Sequence, residues 1–186
     1  MKKLPMVFAL ALLFCFTFSC QEQVTKEVPE GITEEEAKAI MDGVLEIWNK
    51  GNLDLVDEHY ATDYVRHYVD IYEDIVGIDA YKKWIADTRT GFPDFNVTLE
   101  GEIIAKADKI VIRWIAEGTQ TGPLAMPSGE LPPTGKKVKF FGESIAHIVD
   151  GKIAEDWLYF NQASLLQQLG FTLTPPEPSE PTEEKK

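Results

Sequence analysis

Cysteine, histidine and positive charge are all scarce in this chain. Its 186 residues hold two cysteines, Cys15 and Cys20, and three histidines, at 59, 67 and 147. So thin and scattered a set of soft ligands gives no basis for a metal centre. Lysine and arginine number 18 against 31 acidic residues, for a formal net charge of −13. Such a charge repels phosphate backbones and anionic head groups, which argues against nucleic-acid binding. No stretch reads as a basic amphipathic helix for a membrane surface. The sequence also lacks a glycine-rich phosphate loop, a His/Cys/Asp cluster at metal spacing and a Gly-x-Ser-x-Gly elbow. No cofactor is therefore expected.

The termini differ from the middle. Lys2 and Lys3 precede an apolar run over residues 4–18, followed by Ser19-Cys20 and polar Gln21-Glu-Gln. The run is too short for a comfortable membrane span and is placed as a targeting segment. It resembles a bacterial lipoprotein signal over residues 1–19, cleaved before Cys20, which would then carry the lipid. The resemblance implies an exported protein held to a bacterial membrane through its lipid alone, with the residue after Cys20 favouring the outer membrane. Cleavage would remove Cys15 and leave no partner for a disulfide. Residues 20–31 read as a polar tether. Residues 174–186 are rich in Pro and Glu without apolar periodicity, and are expected to be disordered. One domain, 32–173, lies between, long enough for a sizeable core.

Within it, Thr33-Glu-Glu-Glu36 fits a capping box, and apolar residues follow at helical spacing from Ala37 to Trp48. Gly51 is placed to end that helix, and Asn52 to cap a second one carrying Leu53, Val56 and Tyr60. A third helix is expected over 78–90. The period then changes to two. Strands are expected over 97–103, 109–116, 138–149 and 152–160, with a Gly/Pro-rich loop at 122–135. Helices followed by an antiparallel meander indicate an α+β fold, with N-terminal helices packed on one face of a curved antiparallel sheet.

Asp150-Gly151 signals a two-residue hairpin. With that turn, Val149 opposes Lys152, and Ser144 opposes Trp157. Glu155, Trp157 and Asn161 would then share a face with Phe140 and Ser144, while Asp156 would share the other with His147. Both faces carry large apolar groups and helices can cover only one. A homodimer through the sheet is the simplest cover for the other.

The segment from Val149 through Trp157 and Asn161 to Gly170 resembles the end of the SnoaL-like polyketide cyclase family (ester cyclases), a branch of the NTF2-like fold. Further likeness is carried by Trp48-Asn-Lys-Gly-Asn-Leu-Asp54, Arg66-His67, Phe92-Pro-Asp-Phe95, Arg113-Trp-Ile-Ala-Glu-Gly118 and Gln168-Leu-Gly170. The resemblance implies a cone-shaped pocket for a small hydrophobic carbonyl compound. It also implies an intramolecular aldol cyclisation or isomerisation begun by proton abstraction. Two positions depart from it: Asn161 stands where the family usually has its acid/base Asp, and Gln120 where it has His. Both keep hydrogen bonding and lose proton transfer.

His67 is then the candidate base, set against a plain loop histidine. Asn161 is the candidate orienter of a carbonyl. Arg113 either binds an acidic group of the ligand or pairs with Glu100 or Glu102. Glu155 is either a pocket carboxylate or a rim residue, and Trp157 a candidate pocket wall. Gln120 completes the candidate ligand contacts. The alternative function is an exported binding protein that holds a small hydrophobic molecule without transforming it.

Overall fold

A computed structural model of the chain describes residues 31–68, 73–126, 129–172 and 174. The expected signal segment with Cys20, and nearly all of the tether and tail, lie outside the described residues. Among those described, no helix is long and apolar enough to cross a membrane.

Helix α1 (Glu34–Lys50) begins at the expected capping box. Thr33 Oγ1 accepts from the Glu36 N–H at 3.2 Å, and Glu36 Oε2 accepts from the Thr33 N–H at 2.9 Å. Gly51, at φ +72°, ends it in the left-handed region that glycine tolerates best. Helix α2 (Asp54–His59) has Leu53 at its N-cap and no side-chain cap, so Asn52 does not play the capping part expected of it. It runs straight into strand β1 (Tyr60–Tyr68), which makes Tyr60 the first residue of a strand. A short β2 (Ile75–Val76) leads to helix α3 (Ile78–Gly91). The Phe-Pro-Asp turn then ties α3 to the sheet. Asp94 accepts from both the N–H and the hydroxyl of Thr119, and these bonds hold its carboxyl below the usual range.

The expected strand over 97–103 is broken by Gly101 at φ +82° into β3 (Asn96–Leu99) and β4 (Ile104–Lys106). Both pair with β5 (Lys109–Thr119). The Gly/Pro-rich loop holds a small hairpin, β6 (Leu124–Met126) and β7 (Gly129–Leu131). Strands β8 (Lys137–Val149) and β9 (Lys152–Phe160) follow, and helix α4 (Gln162–Leu169) ends at Gly170, φ +101°. The sheet order is β2-β1-β9-β8-β5-β3. It is mixed, because β1 runs parallel to β9. This corrects the expected antiparallel sheet at one pair: β1 and β9 are joined by no tight turn, so the long connection between them permits a parallel ladder.

The register of the β8–β9 hairpin is also corrected. Val149 opposes Lys152 and Ile148 opposes Ile153, as a two-residue turn requires. Then β9 takes one extra residue, and His147 faces Glu155, Ala146 faces Asp156 and Ser144 faces Leu158. This β-bulge at Ala154 reverses the sidedness of everything after it. Asp156, Leu158 and Phe160 turn to the inner face with Phe140, Ser144 and Ala146. Glu155, Trp157 and Tyr159 turn to the outer face. His147, expected beside Asp156, instead meets Asp108 at 3.2 Å.

The core lies between the inner face and the helices. It joins Ala37, Ile40 and Trp48 of α1, Tyr81 and Ile85 of α3, and Ile110, Trp114 and Ala116 of β5. Gly142 makes room there for the Trp114 ring. A Cβ at 142 would stand 2.2 Å from the Trp114 ring and 2.6 Å from the Tyr159 carbonyl oxygen. Gly142→Ala is therefore expected to lower unfolding stability by about 1–3 kcal/mol through overpacking. Equal urea midpoints for the variant and the parent would contradict this account of the glycine.

Candidate active site

Alternation along β1 turns Tyr64, Arg66 and Tyr68 inward and Val65 and His67 outward. The bulge turns Asp156 inward on the neighbouring strand, directly beside Arg66 in the parallel register. The result is a buried ion pair, with Arg66 5% and Asp156 4% exposed. Arg66 Nε donates to Asp156 Oδ1 at 2.9 Å, and Nη2 donates to Asp156 Oδ2 at 2.6 Å. Tyr64 donates its hydroxyl to Asp156 Oδ1 at 2.7 Å. Arg66 Nη2 also donates to the Tyr81 hydroxyl at 3.1 Å, and Tyr81 and Tyr60 share a hydrogen bond of 3.1 Å. The guanidinium lies 4.7 Å from the Tyr81 ring centroid and 5.1 Å from that of Trp84.

The positive charge of Arg66 is fixed. Burial works against the Arg66 cation, but the adjacent Asp156 carboxylate outweighs it and holds the guanidinium well above its ordinary value. Burial pushes the Tyr60, Tyr64 and Tyr81 hydroxyls up as well, so all three stay protonated at neutral pH. Arg66 Nη1 donates to no described residue, and three of the roughly four lone-pair sites of Asp156 are used. Each member of the pair keeps polar capacity for something else.

Both residues line a cavity of about 190 Å³. Among the described residues, its only charged wall residues are Arg66 and Asp156. The remainder is mostly apolar, with Trp48, Trp84 and Trp114 among the rings. Met41 and Leu45 of α1 and Leu165, Leu166 and Leu169 of α4 close the helical side. Ser144, 8% exposed, adds a hydroxyl that accepts from the Trp114 indole N–H at 3.1 Å.

None of His67, Arg113, Gln120, Glu155, Trp157 and Asn161 lines this cavity. His67 and Trp157 do meet, on the outer face. Their rings stack at 5.1 Å, and His67 Nδ1 lies 2.8 Å from Asp74 Oδ2. Glu155 is their neighbour on that face, opposite His147. Arg113 pairs with Glu100 at 2.6 Å and shares a shallow outer groove with Asn161. Asn161 accepts from the Ser164 N–H at 2.9 Å, as the N-cap of α4. Gln120 is fully buried, with all its amide positions in use. Its oxygen accepts from Thr134 N–H and hydroxyl, and its nitrogen donates to the Gly122 and Pro132 carbonyls. It clips the loop 122–135 shut. Among the described residues, no group of three or more His, Cys, Asp or Glu could hold a metal ion.

The sequence profile of SnoaL-like polyketide cyclases matches residues 38–169. The chain belongs to this family. Solved structures agree on the fold. TsrD from Streptomyces laurentii superposes with a TM-score of 0.65 at 23% identity, over 75% of this chain and 98% of that one. AclR from Streptomyces galilaeus gives 0.63 at 26%, over 78% and 87%. An LEH-like epoxide hydrolase of M. tuberculosis gives 0.56 at 17%, over 73% and 90%. No curated protein matches the sequence. The SnoaL-like, NTF2-like cone is thus the scaffold, helices closing over a curved mixed sheet.

Arg66 and Asp156 each adjoin a residue that the sequence does single out, His67 and Trp157. In a strand, adjacent residues point to opposite faces, so an error of one position replaces the inner residue by its outer neighbour. The signal that could have found the pair is its chemistry: an Arg and an Asp embedded in aromatic and aliphatic strands. Such groups need each other to be buried.

Because burial raises the three tyrosine hydroxyls above their ordinary value of 10.0, the folded state holds protons that the unfolded state releases. Stability from this source is complete below about pH 10 and is lost as pH rises further. The loss approaches about 1.4 kcal/mol per pH unit for each tyrosine. Urea unfolding between pH 8 and about 12 should show a plateau and then that decline, shallower in Tyr60→Phe. A rise in stability above about pH 10 would rule the arrangement out.

Proposed function

We propose that this chain binds a small apolar carbonyl compound in the inner cavity and abstracts a proton from the carbon beside the carbonyl. Asp156 is the base and Arg66 the permanent counter-charge. The observation that carries this is the charged pair set into an otherwise mostly apolar wall. A carboxylate there works in a water-poor site against a carbon acid. When Asp156 takes the proton, the pair changes from neutral to one positive charge as the ligand becomes an enolate. The charge of Arg66 therefore stabilises the product of the step without reorganising.

Two outcomes are open to the enolate. Its α-carbon can attack a second carbonyl carbon of the same molecule, forming the ring bond. The resulting alkoxide then takes the proton back from Asp156, which is the aldol cyclisation that the family name suggests. Alternatively the proton returns at a different carbon, which is an isomerisation. Asn161 supports this reading rather than opposing it. It caps α4 and stands off the cavity wall, and an Asp would serve the same cap. The acid within reach of a ligand is Asp156.

Deuterium exchange at the α-carbon of a cyclic ketone measures the first step without the natural substrate. Wild-type protein should accelerate it, and Asp156→Asn should lose about 10²–10⁴-fold with its fold intact by circular dichroism. His67→Ala should leave the rate within about twofold. The reverse pattern would move the base to His67. Ketone binding with no exchange above buffer would instead leave a binding protein.

The outer face supports pairing of two copies through the sheet. Phe141 is 54%, Val149 44% and Tyr159 40% exposed there, large apolar side chains that a second copy would cover. Light scattering at micromolar concentration should give twice the chain mass. Phe141→Glu should give the single mass. A monomer of the parent protein would end this proposal.

A further inference from the structure

We propose that the ligand is a compact, single-ring carbonyl compound rather than a fused-ring polyketide. Its oxygen accepts a hydrogen bond from Ser144 while its α-hydrogen faces Asp156. This rests on the cavity being a ligand site, as proposed above, and adds the size of the ligand and the residue that holds its oxygen.

Size comes first. The cavity measures about 190 Å³. A cavity of about 150 Å³ in a protein core accommodates benzene. The larger figure admits one six-membered ring with a few substituent atoms. Three or four fused rings would have to displace the rings that form the wall. Trp114, Phe140 and Phe160 pack on one another with centroids 5.6–6.5 Å apart and leave no slot between them.

Polarity comes second. Ser144 is more than nine-tenths buried and sits on the cavity wall. Its oxygen accepts the Trp114 indole N–H. An indole N–H can only donate, so that bond leaves the serine's own proton uncommitted. No described group accepts it. A buried hydroxyl without an acceptor is costly, and a ligand oxygen would satisfy it. Trp114 in turn is held flat by the space at Gly142, so the serine oxygen is fixed on one side by a rigid ring.

Position comes third. Ser144 opposes Leu158 on β9, and Asp156 is the diagonal neighbour two residues away. Diagonal backbone positions on one sheet face lie about 7–8 Å apart. A carbonyl oxygen hydrogen-bonded to Ser144, its α-carbon and the hydrogen on that carbon together span about that distance. The two side chains thus address adjacent atoms of one small ketone: the α-carbon that loses its proton and the oxygen that gains charge. Ser144 would be a second donor to the enolate oxygen, beside the field of Arg66.

Titration calorimetry of the chain with three probes tests this. They are isophorone (one ring, one carbonyl), 1,1,3-trimethylcyclohexane (a closely related ring without oxygen) and anthrone (three fused rings). Wild type should bind isophorone most tightly and anthrone not measurably. Ser144→Ala should weaken isophorone about three- to tenfold and leave the hydrocarbon unchanged. The infrared carbonyl stretch of bound isophorone gives a second measurement on wild type alone. It should fall below its value in hexane. Equal isophorone affinity in wild type and Ser144→Ala, or an unshifted stretch, overturns the serine contact. Anthrone binding as tight as isophorone overturns the size class. If the hydrocarbon binds and isophorone gains nothing over it, the inference fails while the cavity remains a ligand site. If no probe binds, the cavity reading fails with it.

Discussion

The buried Arg66–Asp156 ion pair is the interaction on which the rest of the structure turns. Two charges in an apolar interior are tolerated only with close geometry and further hydrogen bonds, and removing one partner of such a pair costs about 3–5 kcal/mol. Here the geometry is supplied by two strands far apart in sequence, β1 and β9, lying parallel and in register. The additional bonds come from Tyr64 and Tyr81, and the guanidinium rests on Tyr81 and Trp84. Tyr64 and Tyr81 belong to the core, and Trp84 packs against it. The charged pair therefore fixes the pairing of β1 with β9, the seating of α3 on the sheet and the polar end of the cavity together.

A single backbone irregularity makes the pair possible. Without the bulge at Ala154, Asp156 would face outward and Trp157 inward, and Arg66 would be left buried without a counter-charge. The same bulge determines what the outer face carries. It moves Trp157 out to stack on His67 and leaves Tyr159 beside Phe141, on a surface whose apolar content suits another protein surface better than water. One inserted residue thus places the charged pair inside and Trp157 and Tyr159 outside.

The inner cavity is small, at about 190 Å³. Its wall is dense with rings and its polar groups are few. The scaffold is that of a SnoaL-like cyclase. Fold is a poor guide to substrate, and the site's own geometry is the better one. The Asn at 161 fits the same view. A helix cap needs a short side chain with an oxygen, and Asn161 provides one at the start of α4, off the cavity wall.

Local features were legible in the sequence because their causes are local. The capping box at Thr33–Glu36, the stop at Gly51, the Asp150-Gly151 turn and the Phe-Pro-Asp corner each depend on a few consecutive residues, and each forms as read. The order of helices before sheet follows from the change of period, and the motifs together indicate the family. Arg113 pairs with Glu100, one of the two acidic residues that its place in the chain offers it. Sidedness beyond residue 154, the parallel contact of β1 with β9 and the convergence of Arg66 with Asp156 were not legible. A bulge has no reliable signature in composition, and the partner of a strand 90 residues away is chosen by the packing of the whole chain. The sequence by itself therefore determined the turns, the scaffold and the long elements after residue 78, but not strand β1, which it left unassigned. Only the tertiary structure decided which residues face the cavity, because that depends on a register that shifts by one residue and on contacts no local pattern encodes.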